Sequence, residues 1–226
     1  MIEYIIIGVA TVLLTIIAII VSKRNSDGYG KDSSIPSIPT NEYRGIQGEI
    51  TVNNYLSRLI QKDEYLLNNI LLPLRNGHKT EIDSILITRK GIFCIEVKNW
   101  VGHISGDDYS EFWTQKYDDL YMIDKQHRNP VKQNENHCAV LEKKLNNEFN
   151  VKNVVIFPKI EDRTKLYSNS TYELNDFIKF YNNLPDNEIY PENLEEIAEK
   201  LKCYQASKEE MEVHKQQVRN AYKNKQ

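Results

Sequence analysis

Residues 81 to 98 constrain the fold of this chain more than any other stretch. Glu81-Ile82-Asp83-Ser84-Ile85-Leu86-Ile87 and Ile92-Phe93-Cys94-Ile95-Glu96-Val97-Lys98 are apolar enough for a sheet interior, and Arg89-Lys90-Gly91 between them predicts a hairpin turn. A period of two puts Ile92, Cys94, Glu96 and Lys98 on one face of the second strand, with Phe93, Ile95 and Val97 on the other. Asp83, Glu96 and Lys98 thus stand where a core would take aliphatic side chains. A charge buried without a partner is costly, so such groups pair with one another or bind a metal. Two carboxylates can hold a divalent cation while a nearby ammonium orients or deprotonates water and offsets developing negative charge, as metal-dependent phosphodiester hydrolysis requires. A structural ion pair buries the same charges, and the spacing by itself does not separate the two readings.

Upstream, Tyr4 to Val21 is a run of eighteen residues without charge. As a helix it reaches roughly 27 Å, nearly the thickness of a bilayer core, so residues 4–21 are expected to form one transmembrane helix. Glu3 before the run and Ser22-Lys23-Arg24 after it, with no small-residue cleavage site, argue against a cleaved signal peptide. The basic pair places the N-terminus outside and the rest of the chain in the cytoplasm. Residues 22–41, with Gly28, Gly30, Ser33, Ser34, Pro36 and Pro39, read as a flexible linker. About 185 residues remain, enough for one domain with its own core.

With Glu3, Lys23 and Arg24 set aside, 27 basic and 31 acidic residues leave the rest of the chain at a net charge of −4. No broad basic field offers nonspecific nucleic-acid binding, so attraction for a polyanion has to come from a local groove and a bound metal. Cys94, Cys138 and Cys203 are odd in number and unevenly spaced, which fits reduced thiols rather than a disulfide framework. No CxxC or paired Cys/His spacing supports zinc.

The remaining pattern predicts a helix over 42–60, strands over 65–72, 80–88 and 92–98, and two short strands within 102–117. A helix over 130–146 follows, with Asn129 as its N-cap and Pro130 at its first position. A strand over 151–157 and helices over 173–182, 194–203 and 208–223 complete a mixed α/β order. Residues 161–226 read as a helical C-terminal extension, and its last helix, charged on most faces, as a solvated or partner-binding tail. On the first helix Ile46, Ile50, Val52, Leu56, Leu59 and Ile60 fill one broad arc that also contains Glu49. That carboxylate is either paired or metal-linked, or it sits partly wet near a helix N-terminus.

Other residues carry weaker signals. His137 shares a helical stripe with Gln133 and Val140, and either faces the site or packs. His127, Asn134 and His137 hint at a ββα-metal nuclease, which no flanking hairpin supports. Trp100, Trp113 and Tyr109 are candidates to stack on bases or to pack as core and rim, and His103 falls in a turn.

Arg44-Gly45-x-x-Gly48-Glu49, Glu81-Ile82-Asp83, Ile95-Glu96-Val97-Lys98-Asn99-Trp100, Gly102-x-Ile104-x-Gly106, Trp113 and Asn129-Pro130-x-x-Gln133 occur in this order. Together they resemble the nuclease-related domain (NERD) family over about residues 44–158. The resemblance implies the α/β/α core, with a mixed central sheet, of the PD-(D/E)XK restriction-endonuclease-like superfamily, here in a domain spanning 42–160. It implies Asp83 and Glu96 as metal ligands and Lys98 as the catalytic lysine. Glu49 would complete that metal site or ligate a second ion, and Gln133 would orient water or phosphate. The implied cofactor is Mg²⁺ or Mn²⁺. The pattern departs from the superfamily's in that Asp83 follows Ile82 and not proline.

The leading expectation is therefore a membrane-anchored, metal-dependent nuclease that hydrolyses phosphodiester bonds of DNA at the cytoplasmic face. The alternative is a catalytically silent, membrane-tethered nucleic-acid-binding or scaffolding module of the same fold. Attack on RNA would use the same residues. The C-terminal helices are expected to recruit a protein partner or a second copy of the chain.

Overall fold

A computed structural model describes residues 40–75, 77–118 and 123–223. The apolar run at 4–21 lies outside them, and among the described residues no helix is long and apolar enough to cross a membrane. Helix α1 (Thr40–Leu56) leads into strands β1 (Tyr65–Pro73), β2 (Lys79–Thr88) and β3 (Gly91–Val97). Strands β4 (His103–Asp107), β5 (Phe112–Lys116) and β6 (Lys125–Arg128) precede helix α2 (Pro130–Lys144). Then come β7 (Val151–Phe157), β8 (Asp162–Tyr167), β9 (Thr171–Glu173), α3 (Leu174–Asn182), α4 (Pro191–Lys202) and α5 (Lys208–Lys223).

Two mixed sheets result. The larger has the order β1-β2-β3-β7-β9, antiparallel through β3 and parallel beyond it. Short turns allow only antiparallel neighbours, whereas the long excursion from β3 through the second sheet and α2 lets β7 return parallel. Ile92 and Cys94 face Cys138, Leu141 and Leu145 of α2 and Leu194, Ile197 and Leu201 of α4. Phe93, Ile95 and Val97 face Val52 and Leu56 of α1 and Leu174, Phe177 and Tyr181 of α3. The alternation expected of β3 is thus the division between two helix-covered cores. Each fully buried side chain of this kind contributes about 1.5–3 kcal/mol, so packing on both faces, rather than ion pairing, holds the sheet.

The second sheet has the order β6-β5-β4-β8. Its centre is Trp113, fully buried, whose indole N–H donates to the Asp107 carbonyl at 2.8 Å. Gly106 lies beneath the ring, where a Cβ would stand 2.3 Å from Cδ1. Trp113 is therefore core and not a base-stacking platform, while Tyr109 is exposed.

Several expectations need correction. β6, β8 and β9 are short and polar enough to escape periodicity, and they form because neighbouring edges supply their hydrogen bonds. Residues 162–173, expected to open a helical extension, instead add β8 beside β4 and β9 beside β7. α3 and α4 are integral to the two cores. α1 ends at Leu56, so Leu59 and Ile60 fall beyond it, and Ile50 is 48% exposed. The buried stripe of α1 is the narrower Gly48, Val52 and Leu56. His103 lies in β4, between the carboxylates of Asp162 (2.9 Å) and Asp118 (2.7 Å).

Candidate active site

The β2–β3 ladder ends at Ser84–Ile95, and one step beyond it the Val97 N–H donates to the Asp83 carboxylate at 2.7 Å. Asp83 is thereby fixed beside Glu96, which is buried at 3% exposure. The Lys98 N–H donates to the Ile156 carbonyl at 3.0 Å and continues the β3–β7 ladder, which sets the root of its side chain. From there the Lys98 ammonium donates to Glu96 Oε1 at 2.5 Å. Gln133, in the first turn of α2, donates from Nε2 to the same oxygen at 2.9 Å. The cap works as expected: Asn129 Oδ1 accepts the Val131 N–H at 2.9 Å and fixes where α2 starts.

Helix α1 reaches this site by touching the end of β3 at the backbone. A Cβ on Gly48 would stand 2.6 Å from the Asn99 Cβ, and Asn99 Nδ2 donates to the Arg44 carbonyl at 2.8 Å. The glycine permits the approach and the asparagine fastens it, which brings Glu49 into one cavity with Asp83. Asp83, Glu96 and Lys98 line one cavity of about 290 Å³ with Glu49. Its opposite wall is the second sheet, through Gln115, Tyr117, Lys125 and His127. Trp100 stacks on His127 with ring centres 4.2 Å apart.

The charges here are crowded. Burial, then the neighbouring Glu96 and Glu49, push Asp83 well above the usual carboxylate range, against the weaker pull of Lys98 and the Val97 N–H. Burial likewise raises Glu49 and Glu81, and for both the strongest opposing charge is Lys215 of α5. Burial works to lower the Lys98 ammonium, but Glu96 and Asp83 outweigh it and the net shift is upward. In the metal-free site these neighbours therefore favour the ammonium form of Lys98.

A cluster of oxygen donors with unmet negative charge suits a hard divalent cation such as Mg²⁺ or Mn²⁺. Asp83 and Glu96 are the residues placed to hold one, with Glu49 above them. Among the described residues no three carboxylate, histidine or cysteine side chains converge closely enough to cage a metal unaided. A backbone carbonyl and water would complete the shell, in keeping with the waters Mg²⁺ retains.

His137 is buried, with Nδ1 3.5 Å from Glu96 Oε2 and without a hydrogen bond among the described residues. Asn134 is also buried, and its amide is committed to the Cys94 carbonyl at 2.8 Å and to Asn153 at 2.8 Å. With His127 against Trp100, the three do not assemble a ββα-metal site.

The nuclease-related domain family matches residues 44–158, half of the chain. The chain belongs to the NERD family. An uncharacterized protein of Bacillus anthracis is 34% identical over 101 residues, which is 45% of this chain and 46% of that relative. The chain thus spans about half the length of the relative it matches. No solved structure matches.

Within the NERD segment the motif residues divide into two groups. Gly48, Asn99, Gly106, Trp113 and Asn129 shape the backbone, whereas Glu49, Asp83, Glu96 and Lys98 line the cavity and Gln133 is joined to it through Glu96. Lys215 comes from outside that segment. A strongly charged helix 120 or so positions downstream of β3 gives no periodicity signal for which of its cations turns inward. Glu81 was legible, since it shares Asp83's parity on β2. The wall formed by Gln115, Tyr117, Lys125 and His127 depends on β6, which sequence patterning misses.

Proposed function

We propose that this protein is a metal-dependent nuclease of restriction-endonuclease-like α/β/α architecture, hydrolysing phosphodiester bonds of DNA. The observation that carries the reading is the convergence of Asp83, Glu96 and Lys98 in one cavity, with Gln133 on the same oxygen of Glu96 as the lysine. A binding module has no need to bury two carboxylates and an ammonium beside one another at this energetic cost.

Asp83, Glu96 and Glu49 would hold Mg²⁺ or Mn²⁺. Such an ion, when bound, polarises a phosphoryl oxygen and acidifies water. Lys98, kept as an ammonium, faces the charge that develops on the phosphate as the bond to the leaving oxygen breaks. Gln133 keeps the Glu96 carboxylate oriented and offers an amide to an attacking water. Residues 4–21 would anchor the protein in the cell membrane with the N-terminus outside and the nuclease domain cytoplasmic. Of the C-terminal helices α3 and α4 are packed into the two cores, so α5 is the one that would meet a protein partner or a second copy.

The buried Lys98–Glu96 ion pair is satisfied as it stands, which favours a second reading, a nucleic-acid-binding or scaffolding module without turnover. Incubating the purified protein with linear, circular and single-stranded DNA and with RNA, under Mg²⁺, Mn²⁺ or EDTA, decides between them. A Lys98→Ala twin controls for contaminating nuclease. Metal-dependent cutting that vanishes in the twin supports the enzyme and identifies its substrate. Folded protein that cuts nothing returns the weight to the binding module.

A further inference from the structure

α5 lies outside the family segment, yet it places a cation at the edge of the acidic cluster. The Lys215 ammonium is 3.6 Å from Glu81 Oε1, and both side chains are about three-quarters buried. One turn further on, Arg219 pairs with Glu42 of α1 at 2.5 Å. Ser207 and Glu210 form a reciprocal capping box at the start of the helix, the Ser207 N–H donating to Glu210 Oε2 at 2.8 Å and the Glu210 N–H to Ser207 Oγ at 3.2 Å.

Packing holds α5 only lightly. Met211 is its one side chain in the buried core among the described residues. Val213 and Val218 stay exposed, and with Leu71 and Lys79 they line a cavity of about 960 Å³ beneath the helix. The helix is thus fastened to the catalytic half of the molecule largely through charge.

The cluster it meets contains Glu49, Glu81, Asp83 and Glu96. The cations acting on it are Lys98, just past the end of β3, and Lys215 of α5, while Arg44 and Lys125 line the same cavity and Arg219 is spent on Glu42. Lys98 is committed to Glu96, which leaves Lys215 as the principal counter-charge to Glu49 and Glu81. A divalent ion entering beside Asp83 and Glu49 meets the same anionic charge that Lys215 already offsets, and the two cations repel each other.

We propose that Lys215 is a built-in counter-cation of the metal site, seated when the site holds no metal and displaced, with α5, when a divalent cation binds. The proposal rests on the metal-dependent reading above. It makes Lys215 a positioning residue that sets metal occupancy, and it makes α5 a helix whose docking opposes metal binding.

The test measures Mn²⁺ affinity of the full chain by calorimetry for wild type, Lys215→Ala and Asp83→Asn, with thermal melts to confirm folding. Hydrogen exchange of α5 is followed with and without Mn²⁺, and Arg219→Ala serves as a second variant that loosens α5 without touching the cluster. The expected result is Mn²⁺ binding about tenfold tighter in Lys215→Ala, an order of magnitude set by removing one nearby partly screened positive charge. A smaller gain is expected in Arg219→Ala, with faster α5 exchange in wild type once Mn²⁺ is added. Equal or weaker binding in Lys215→Ala overturns the proposal while leaving the metal site intact, provided Asp83→Asn still abolishes binding. Unchanged metal affinity together with weakened DNA binding reassigns Lys215 to the substrate and likewise overturns it. If wild type and Lys215→Ala both fail to bind Mn²⁺, the metal-dependent reading falls and the proposal falls with it.

Discussion

The Asp83 carboxylate accepts the Val97 N–H at 2.7 Å, at the point where backbone pairing between β2 and β3 has stopped. A side chain takes the place of a strand carbonyl, and in doing so holds an acid beside Glu96. The arrangement is unfavourable for the anion: burial, Glu96 and Glu49 all raise its pKa. An acid whose pKa is higher folded than unfolded binds its proton more tightly in the native state. Stability is then lost as pH rises from about 4, the unfolded value, through the raised folded value. In EDTA, Asp83→Asn, which keeps an acceptor for Val97, is expected to melt above wild type at pH 8, with the gap closing toward pH 4. Scanning calorimetry over that range checks the sign, and a less stable Asn variant at pH 8 would show that the carboxylate is compensated by other means.

Lys98 and Gln133 share Glu96 Oε1 but do different work. Removing the ammonium strips the site of its innermost cation, so Lys98→Ala is expected to lower metal-dependent cleavage by about 10²-fold or more. Gln133→Ala leaves the Lys98–Glu96 pair in place and should cost less. Single-turnover cleavage of a labelled duplex by the two variants, at saturating metal, gives the ratio. Equal losses would mean that the amide, too, acts on the reacting phosphate.

Gly48 touches Asn99 so closely that a methyl group would require α1 to move. Alanine is worth about 1 kcal/mol more than glycine within a helix, whereas overpacking costs about 1–3 kcal/mol. Gly48→Ala is therefore expected to be net destabilising and to displace Glu49 from the cavity. Urea unfolding measures the first effect. The double variant with Asn99→Gly, which removes the opposing Cβ, should show less than the sum of the single losses, because the two residues share one contact.

His103 is held between Asp162 and Asp118, and those hydrogen bonds raise its pKa. Its contribution is present in full below about 6.5, the unfolded value, and is lost as pH rises through the raised folded value. Asp162 is held low, at about 2, first by the Thr164 N–H and then by His103. It therefore contributes above the ordinary aspartate value of 3.8 and loses that contribution as pH falls toward 2. His103→Gln should reduce the melting temperature at pH 6 and leave it nearly unchanged at pH 9. A pH-independent difference would assign the histidine a packing role instead.

Strong local patterns were legible. The alternation of Ile92 to Val97 foretold the two faces of β3, and Asn129-Pro130 marked the start of α2 because cap geometry depends on a few adjacent residues. The β7 boundaries likewise follow from a β-branched run that ends at Pro158. β6, β8 and β9 were not legible, since a short edge strand draws its stability from the neighbour it pairs with. Ile50 was assigned to the buried arc, but the close approach of Gly48 to Asn99 tilts the contact away from it.

Periodicity and motif spacing, which are local properties of the chain, suffice for the mixed α/β order, the charged positions on the β2–β3 hairpin and membership of the NERD family. Tertiary packing sets the neighbours of Lys98, whose pairing with Glu96 favours its charged form, and brings Lys215 within 3.6 Å of Glu81. It also decided that a second sheet closes the cavity. Those outcomes depend on distances between elements far apart in sequence, and electrostatic energies follow separation and burial, not residue order.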